Sequence, residues 1–397
     1  MLIPVVLAAA LMNAAMVAAS AVSTILIADE LSPALAGLPN TAGVLGTAAG
    51  AVAVGRWSSR LGRAQALRTG YAIAVAGGAL TVLAAVGAPV ILLFLGMLLL
   101  GAGNAASLLS RYAAGESVDP SRRAAAMGTV VWAGTAGAVG GPFLLEPAQG
   151  FAVSVGLPPL AGPFLLAVAA AFSALLAASR IQPIHATPAT PNAVGLDDAQ
   201  RGPAARSTTV FVAAGVMLVG HLVMVALMTS VPVHAHHHGQ GLSMLGLMLS
   251  AHTFGMFALA PVTGWWIDRS GPRPAMLAGL ATVAVSALVI AGPSGMTFTP
   301  ALFVLGYGWN LCYLGGSALL STAGANSPAA RAKLESKVEA WVWAVAALAT
   351  AASTWLFAAG GFALLAACSI TLALPLLLLV ALRRDTPVDQ KSLEPSC

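Results

Sequence analysis

The sequence predicts an all-α integral membrane protein, with twelve transmembrane helices in two pseudo-symmetric six-helix bundles. Three observations carry that reading: the composition, the length of the apolar runs, and an internal repeat. Of 397 residues, 58% are apolar and 8% are charged, and the mean hydropathy of +0.89 lies outside the range of soluble globular domains. A helix needs about 20 mainly apolar residues to cross the hydrocarbon core. Runs of that kind lie at 3–28, 38–55, 68–88, 90–113, 124–146, 158–179, 208–232, 243–266, 275–293, 299–322, 337–358 and 361–382. Lipid offers no partner to open backbone, and these runs are too long and unbroken for barrel strands of about ten alternating residues. The 42 glycines suit helices that approach closely through small-residue faces.

In chain order, the first span reads as a permanent helix and not a secretion signal, because no basic leader precedes it and the run continues to Ala28. All 18 basic residues then fall in even-numbered connections or in the tail. By the positive-inside bias, both termini and the even connections are expected in the cytoplasm, which fits a multi-pass protein of the inner (plasma) membrane. The net charge of +5 is therefore a topology signal and no sign of nucleic-acid binding.

The stretch 181–209, rich in Pro, Ala and Thr, cannot bury a core. It divides the chain into an N-terminal half (1–180), a linker (181–207), a C-terminal half (208–382) and a tail (383–397). The halves echo each other. GRWSSRLGR, starting at Gly55, has a counterpart in GWWIDRSGPR, starting at Gly264, which pairs Gly55 with Gly264, Arg60 with Arg269 and Gly62 with Gly271. The same register pairs Arg122 with Arg331 and Trp132 with Trp341. One register held over two connections points to a duplicated six-helix unit.

On these features the chain resembles transporters of the major facilitator superfamily, and within it bacterial proton-coupled drug and metabolite exporters. The superfamily's signature between spans two and three is roughly Gly, three residues, Asp, Arg, one residue, Gly, Arg. Gly55, Arg60, Gly62 and Arg63 match it, while Ser59 takes the acidic position; the second copy keeps Gly264, Asp268, Arg269 and Gly271. The resemblance implies a gating role for this motif. Asp268, near a helix end, is expected to pair with arginines across the seam between the halves, leaving the Ser59 copy the weaker latch. Topological anchoring against anionic lipid is the plainer reading of the same arginines. In span five, Gly137, Gly141 and Pro142 match part of the superfamily's antiporter motif, although general helix packing explains small residues there equally well.

Ionisable groups inside a span are costly, so each is a functional candidate. For proton coupling or a substrate cavity the candidates are Arg111 near the end of span four, Glu116 five residues after it, His221 of span seven, His252 of span eight, Asn310 of span ten and Glu339 at the start of span eleven. Each has a plainer alternative: Arg111 paired with Glu116 at the interface, or Glu339 in a surface charge ladder with Lys333, Glu335 and Lys337. His234, His236, His237 and His238 at the outer end of span seven fit a solvated loop, a pH sensor or, since imidazole binds Zn, Cu and Ni, metal capture. No cysteine or acid lies beside them, so no metal site is assigned.

The chain holds no Gly-Lys-Ser/Thr phosphate loop, HExxH or GxSxG motif, and its three cysteines show no paired spacing. No enzyme activity and no cofactor are expected. The expected function is secondary active transport: proton-coupled export of a small apolar or amphiphilic organic molecule by alternating access, by a monomer. The rivals are a transporter of a metal or metal chelate and a transport-inactive membrane sensor.

Overall fold

The structure, a computed structural model, describes residues 2–31, 38–140, 144–181, 203–237, 242–292, 298–322 and 327–382. The first half holds α1 (Leu2–Glu30), α2 (Leu38–Leu61), α3 (Arg63–Ala85), α4 (Ile91–Glu116), α5 (Arg123–Gly140), α6 (Leu145–Ser154) and α7 (Ala161–Ser179). The second holds α8 (Pro203–His237), α9 (Leu242–Phe257), α10 (Ala260–Ser270), α11 (Pro272–Ala291), α12 (Phe298–Thr322) and α13 (Pro328–Leu382). All twelve expected runs fall on these helices. Spans eleven and twelve are the two arms of α13, which breaks at Gly360 and Gly361, the latter with φ 59°. Span eight is divided between α9 and α10 just before Pro261, where a proline ring has no amide hydrogen to continue the ladder. The short α6, with Glu146 exposed at its start, is an element the hydropathy pattern did not anticipate. The expected linker lies mostly outside the described residues, but α8 already begins within it, at Pro203. The tail lies outside them entirely.

Eight described stretches are both long and apolar enough to cross a bilayer, from Leu2–Ile27 to Trp355–Leu382. Spans two, five, ten and eleven fall short of that measure, and their positions explain why. Across the halves α2 packs on α13 and α5 on α10, so spans two, five and eleven each turn one face to the opposite half. In span ten, Trp309, Asn310 and Tyr313 are all buried. Helices that look toward neighbouring protein need less apolar surface than helices ringed by lipid.

Glycine makes the close crossings possible. A Cβ on Gly101 would collide with the Gly43 backbone, and one on Gly46 or Gly50 with the α4 backbone, so α2 and α4 meet main chain to main chain. Gly137, similarly, lets α5 cross α1 against the backbone of Ala10 and Ala14. The repeat is written into the backbone as well. Gly62 (φ 84°, ψ 157°) and Gly271 (φ 80°, ψ 169°) adopt nearly the same conformation before α3 and α11, in a region essentially restricted to glycine.

Candidate functional site

The motif copies lie at the end of the bundle where the basic residues gather, and there they join the halves. A Cβ on Gly55 would meet the Ser336 side chain of α13, and one on Gly264 the Ala124 backbone of α5. Arg63 donates through one Nη2 to Glu116 and to Glu335, each at 2.8 Å. The first contact stays within the first half; the second reaches the other half. Burial pushes the Glu335 carboxyl above its ordinary value, and the Arg63 charge pulls the other way.

The expected partner of Asp268 needs correction. Its Oδ1 and Oδ2 accept from the backbone N–H groups of Ala124 and Ala125, both at 2.8 Å, and it takes part in no ion pair among the described residues. The acid thus caps the first turn of α5 from the opposite half, where unpaired N–H groups and the helix dipole favour negative charge. Arg269 is exposed, with its guanidinium 4.4 Å from the Trp265 ring centre on its own helix. Arg60 is exposed too. Within the motif, the cation that bonds across the seam is Arg63, in the copy that carries Ser59.

Deeper in the bundle, Arg111 of α4 and Glu339 of α13 form an ion pair at 2.7 Å, with side-chain exposures of 1% and 0%. Arg111 is therefore not paired with Glu116, and Glu339 is not part of a surface ladder. The Arg111 guanidinium lies 4.3 Å from the ring centre of Tyr112 and 4.2 Å from that of Tyr313, and its Nε donates to Ser317 Oγ at 3.2 Å. Glu339 is equally well supplied: Oε1 accepts from Tyr313 Oη at 2.8 Å and from Trp343 Nε1 at 3.2 Å. A buried pair is tolerated when its remaining donors and lone pairs are satisfied in this way.

A cavity of about 50 Å³ opens beside the pair, walled by Asn13, Ser107, Arg111, Phe257, Trp309 and Tyr313 among others. Trp309 stacks on Tyr313 at 4.7 Å and 16° and meets Phe257 edge-on at 5.8 Å. Trp309 Nε1 donates to His221 Nδ1 at 2.8 Å, and His221 in turn lies 5.3 Å from the Trp343 ring. A continuous polar and aromatic chain therefore runs from Glu339 through Trp343 and His221 to Trp309.

Three candidates lie elsewhere. Glu116 belongs to the Arg63 cluster. His252 is buried with Nδ1 3.0 Å from the Leu302 carbonyl. Asn310 donates to the Met256 carbonyl at 2.6 Å and ties α12 to α9. Neither of the last two is among the residues that wall the cavity. Gly141, Pro142 and His238 fall outside the described residues, as do the side chains of His234, His236 and His237. Among the described residues no group of three His, Cys, Asp or Glu is placed to hold a metal. Tyr313, Trp343 and Ser317 were missed by the sequence reading, although Trp343 stands one helical turn from Glu339 and Tyr313 one turn from Trp309, a spacing that puts each pair on one face.

Residues 5–243 and 210–396 each match the family described as Major Facilitator Superfamily. The chain belongs to that superfamily. This major facilitator protein is 37% identical over 329 residues to YdeG of Bacillus subtilis, described as an uncharacterized MFS-type transporter, with 79% of this chain and 76% of that one covered. It is 27% identical over 319 residues to the riboflavin transporter RfnT of Brucella anthropi, with 78% and 77% covered. The human organic anion transporter MFSD10 shares the fold at a TM-score of 0.75, with 17% identity over 96% of this chain and 98% of that one. The superfamily member is thus a multi-pass membrane protein and a secondary transporter, and its relatives are transporters, not enzymes.

Proposed function

We propose that the protein exchanges protons for a small, planar, amphiphilic organic molecule, exporting it by alternating access with Glu339 as the proton site. The observation that carries this reading is the Arg111–Glu339 pair, which joins the two halves while Arg111 and Tyr313 wall the cavity. A donor group of the substrate takes the place of Arg111 on the Glu339 carboxylate, and protonation of Glu339 then weakens that hold and releases the substrate. Loss of the proton returns Arg111 to the carboxylate. One acidic group then serves proton and substrate in turn, and the change is felt across the seam that must open and close.

The lining favours a planar partner. Trp309, Tyr313 and Phe257 present ring faces and edges on which a conjugated ring stacks, while Asn13, Ser107 and Arg111 offer polar contacts. The likeness to a riboflavin transporter supports a heteroaromatic substrate class. A cavity of about 50 Å³ is far below the roughly 300 Å³ of a small-molecule pocket, so the halves must part before such a molecule binds. In this scheme both termini face the cytoplasm, the motif end is the cytoplasmic end, and the monomer is the working unit. The close α1–α5 crossing at Gly137 supports the antiporter reading of span five.

Proteoliposomes carrying an imposed pH gradient, with riboflavin and a panel of planar cationic and anionic dyes as probes, test this reading. Net flux should follow the gradient for at least one probe. Glu339→Gln should keep substrate counterflow and lose the gradient-driven component. Net flux indifferent to the gradient, or a Glu339→Gln variant still driven by it, would remove Glu339 as the proton site.

A further inference from the structure

Away from the central cavity, a lateral groove of about 590 Å³ lies between α2 and the first arm of α13. Its body is apolar, with Ala48 and Val52 on one side and Ala344 and Trp341 on the other. Its rim at the basic end of the bundle carries Arg56, Lys333 and Lys337, and no acidic residue is among those that wall it. All three cations are exposed, and so is Trp341, at 57%. The floor is the contact of Gly55 with Ser336, so the groove straddles the seam between the halves.

We propose that this groove binds one anionic phospholipid, its phosphate held among Arg56, Lys333 and Lys337 and one acyl chain lying along the α2–α13 cleft. Two features of the groove point to a lipid. An apolar trough open to the side of a membrane bundle is in contact with acyl chains. Three cations from two helices at one end of that trough supply the charge a phosphate-bearing headgroup requires and give a zwitterionic one less net attraction. Trp341 between them suits the boundary of headgroup and tail. A lipid seated there touches both halves at once, one by Arg56 and the other by Lys333 and Lys337, and so favours the closed state of the basic end. This inference does not rest on the substrate or the proton site.

Native mass spectrometry of the detergent-purified full chain, titrated with phosphatidylglycerol or phosphatidylcholine, reads the binding directly. Phosphatidylglycerol should be retained with about a tenfold preference. The preference should vanish in the triple variant Arg56→Gln, Lys333→Gln, Lys337→Gln and persist in the charge-keeping variant Arg56→Lys, Lys333→Arg, Lys337→Arg. Ala344→Trp, which fills the trough and leaves the charges in place, should weaken retention of phosphatidylglycerol. Should the triple variant fail to fold, the charge-keeping and trough-filling variants still decide the matter. Equal retention of both lipids would overturn the proposal, as would retention unaffected by Ala344→Trp. Competition by inorganic phosphate at concentrations comparable to the lipid would make the rim a simple anion site and equally remove the lipid.

Discussion

Arg111 and Glu339 stand 2.7 Å apart, one on α4 and the other on α13, with almost nothing of either side chain exposed. The two halves of the transporter are therefore joined, one step deeper than the Arg63 contacts, by charges that have no recourse to solvent. Removing one partner leaves the other buried and unpaired, which costs about 3–5 kcal/mol. Removing both leaves no orphan charge.

This asymmetry makes a double-mutant cycle informative. Arg111→Leu and Glu339→Leu should each lower the melting temperature of the purified protein by several degrees. The double variant should be more stable than the sum of the two losses predicts, with a coupling of about 1–3 kcal/mol. Additive losses would mean that the pair is not the interaction that matters at this point of the seam.

A second prediction contrasts two positions of the duplicated motif. Asp268 accepts from two backbone N–H groups of α5 across the seam, whereas Ser59 is exposed and donates only to the Arg56 carbonyl of its own helix, at 2.8 Å. Asp268→Asn keeps one acceptor oxygen and loses the charge, a change worth about 1–2 kcal/mol at a helix cap. Spin-label distances across the basic end should lengthen in Asp268→Asn and stay unchanged in Ser59→Ala. Identical distance distributions in both would reduce the cap to a packing detail.

The sequence made the fold and the motif legible because both rest on local signals. Apolar runs, basic connections and a repeat in constant register survive in a single chain, and Gly62 and Gly271 show that the repeat extends to the backbone. Partner choice was not legible. Arg111 lies in sequence far nearer Glu116 than Glu339, and only the packing of α4 against the second half decides which acid it meets. Asp268 looked like an arginine's partner because charge is visible in a sequence and an unsatisfied helix N-terminus is not. Tyr313 and Trp343 were overlooked because an aromatic residue in an apolar span resembles ordinary core until its hydroxyl or indole N–H is seen on a carboxylate. The seam helices were less apolar than the rest for the same reason: what they face is set by tertiary structure.

The third prediction concerns those two glycines. At φ values of 84° and 80° with extended ψ, a side chain at Gly62 or Gly271 is strained by about 1–3 kcal/mol, even though a Cβ there would meet nothing within 4 Å. Alanine at either position should lower the melting temperature by a similar amount. Gly150 in α6 provides the control, since a Cβ there also meets open space and its φ is not positive. Gly150→Ala should be neutral or slightly stabilising, because alanine is the better helix former. Equal losses at all three positions would show that backbone conformation is not the cause.

The last prediction turns on Arg63, which holds Glu335 of the opposite half at 2.8 Å. Burial raises the Glu335 carboxyl above its ordinary value; Arg63 and Arg331 oppose that rise and Glu116 adds to it. When the basic end opens, Glu335 gains water and its value falls back toward normal. A group whose value is raised in the closed state contributes stability to that state at low pH and loses it as pH climbs through the raised value. With Arg63 present the rise is restrained. Arg63→Gln removes the restraint, so the window of loss moves to higher pH and, near neutrality, an unpaired carboxylate is left buried in the closed state. Spin labels placed across the basic end of Arg63→Gln should therefore report a larger open fraction than in the parent at neutral pH, and acidification should restore the closed distances. Adding Glu335→Gln should abolish that pH response, because a neutral amide has no proton to take up. An Arg63→Gln variant that opened to the same extent at every pH would show that Glu335 does not govern closure, and the latch would then rest on Asp268 and the glycine contacts alone.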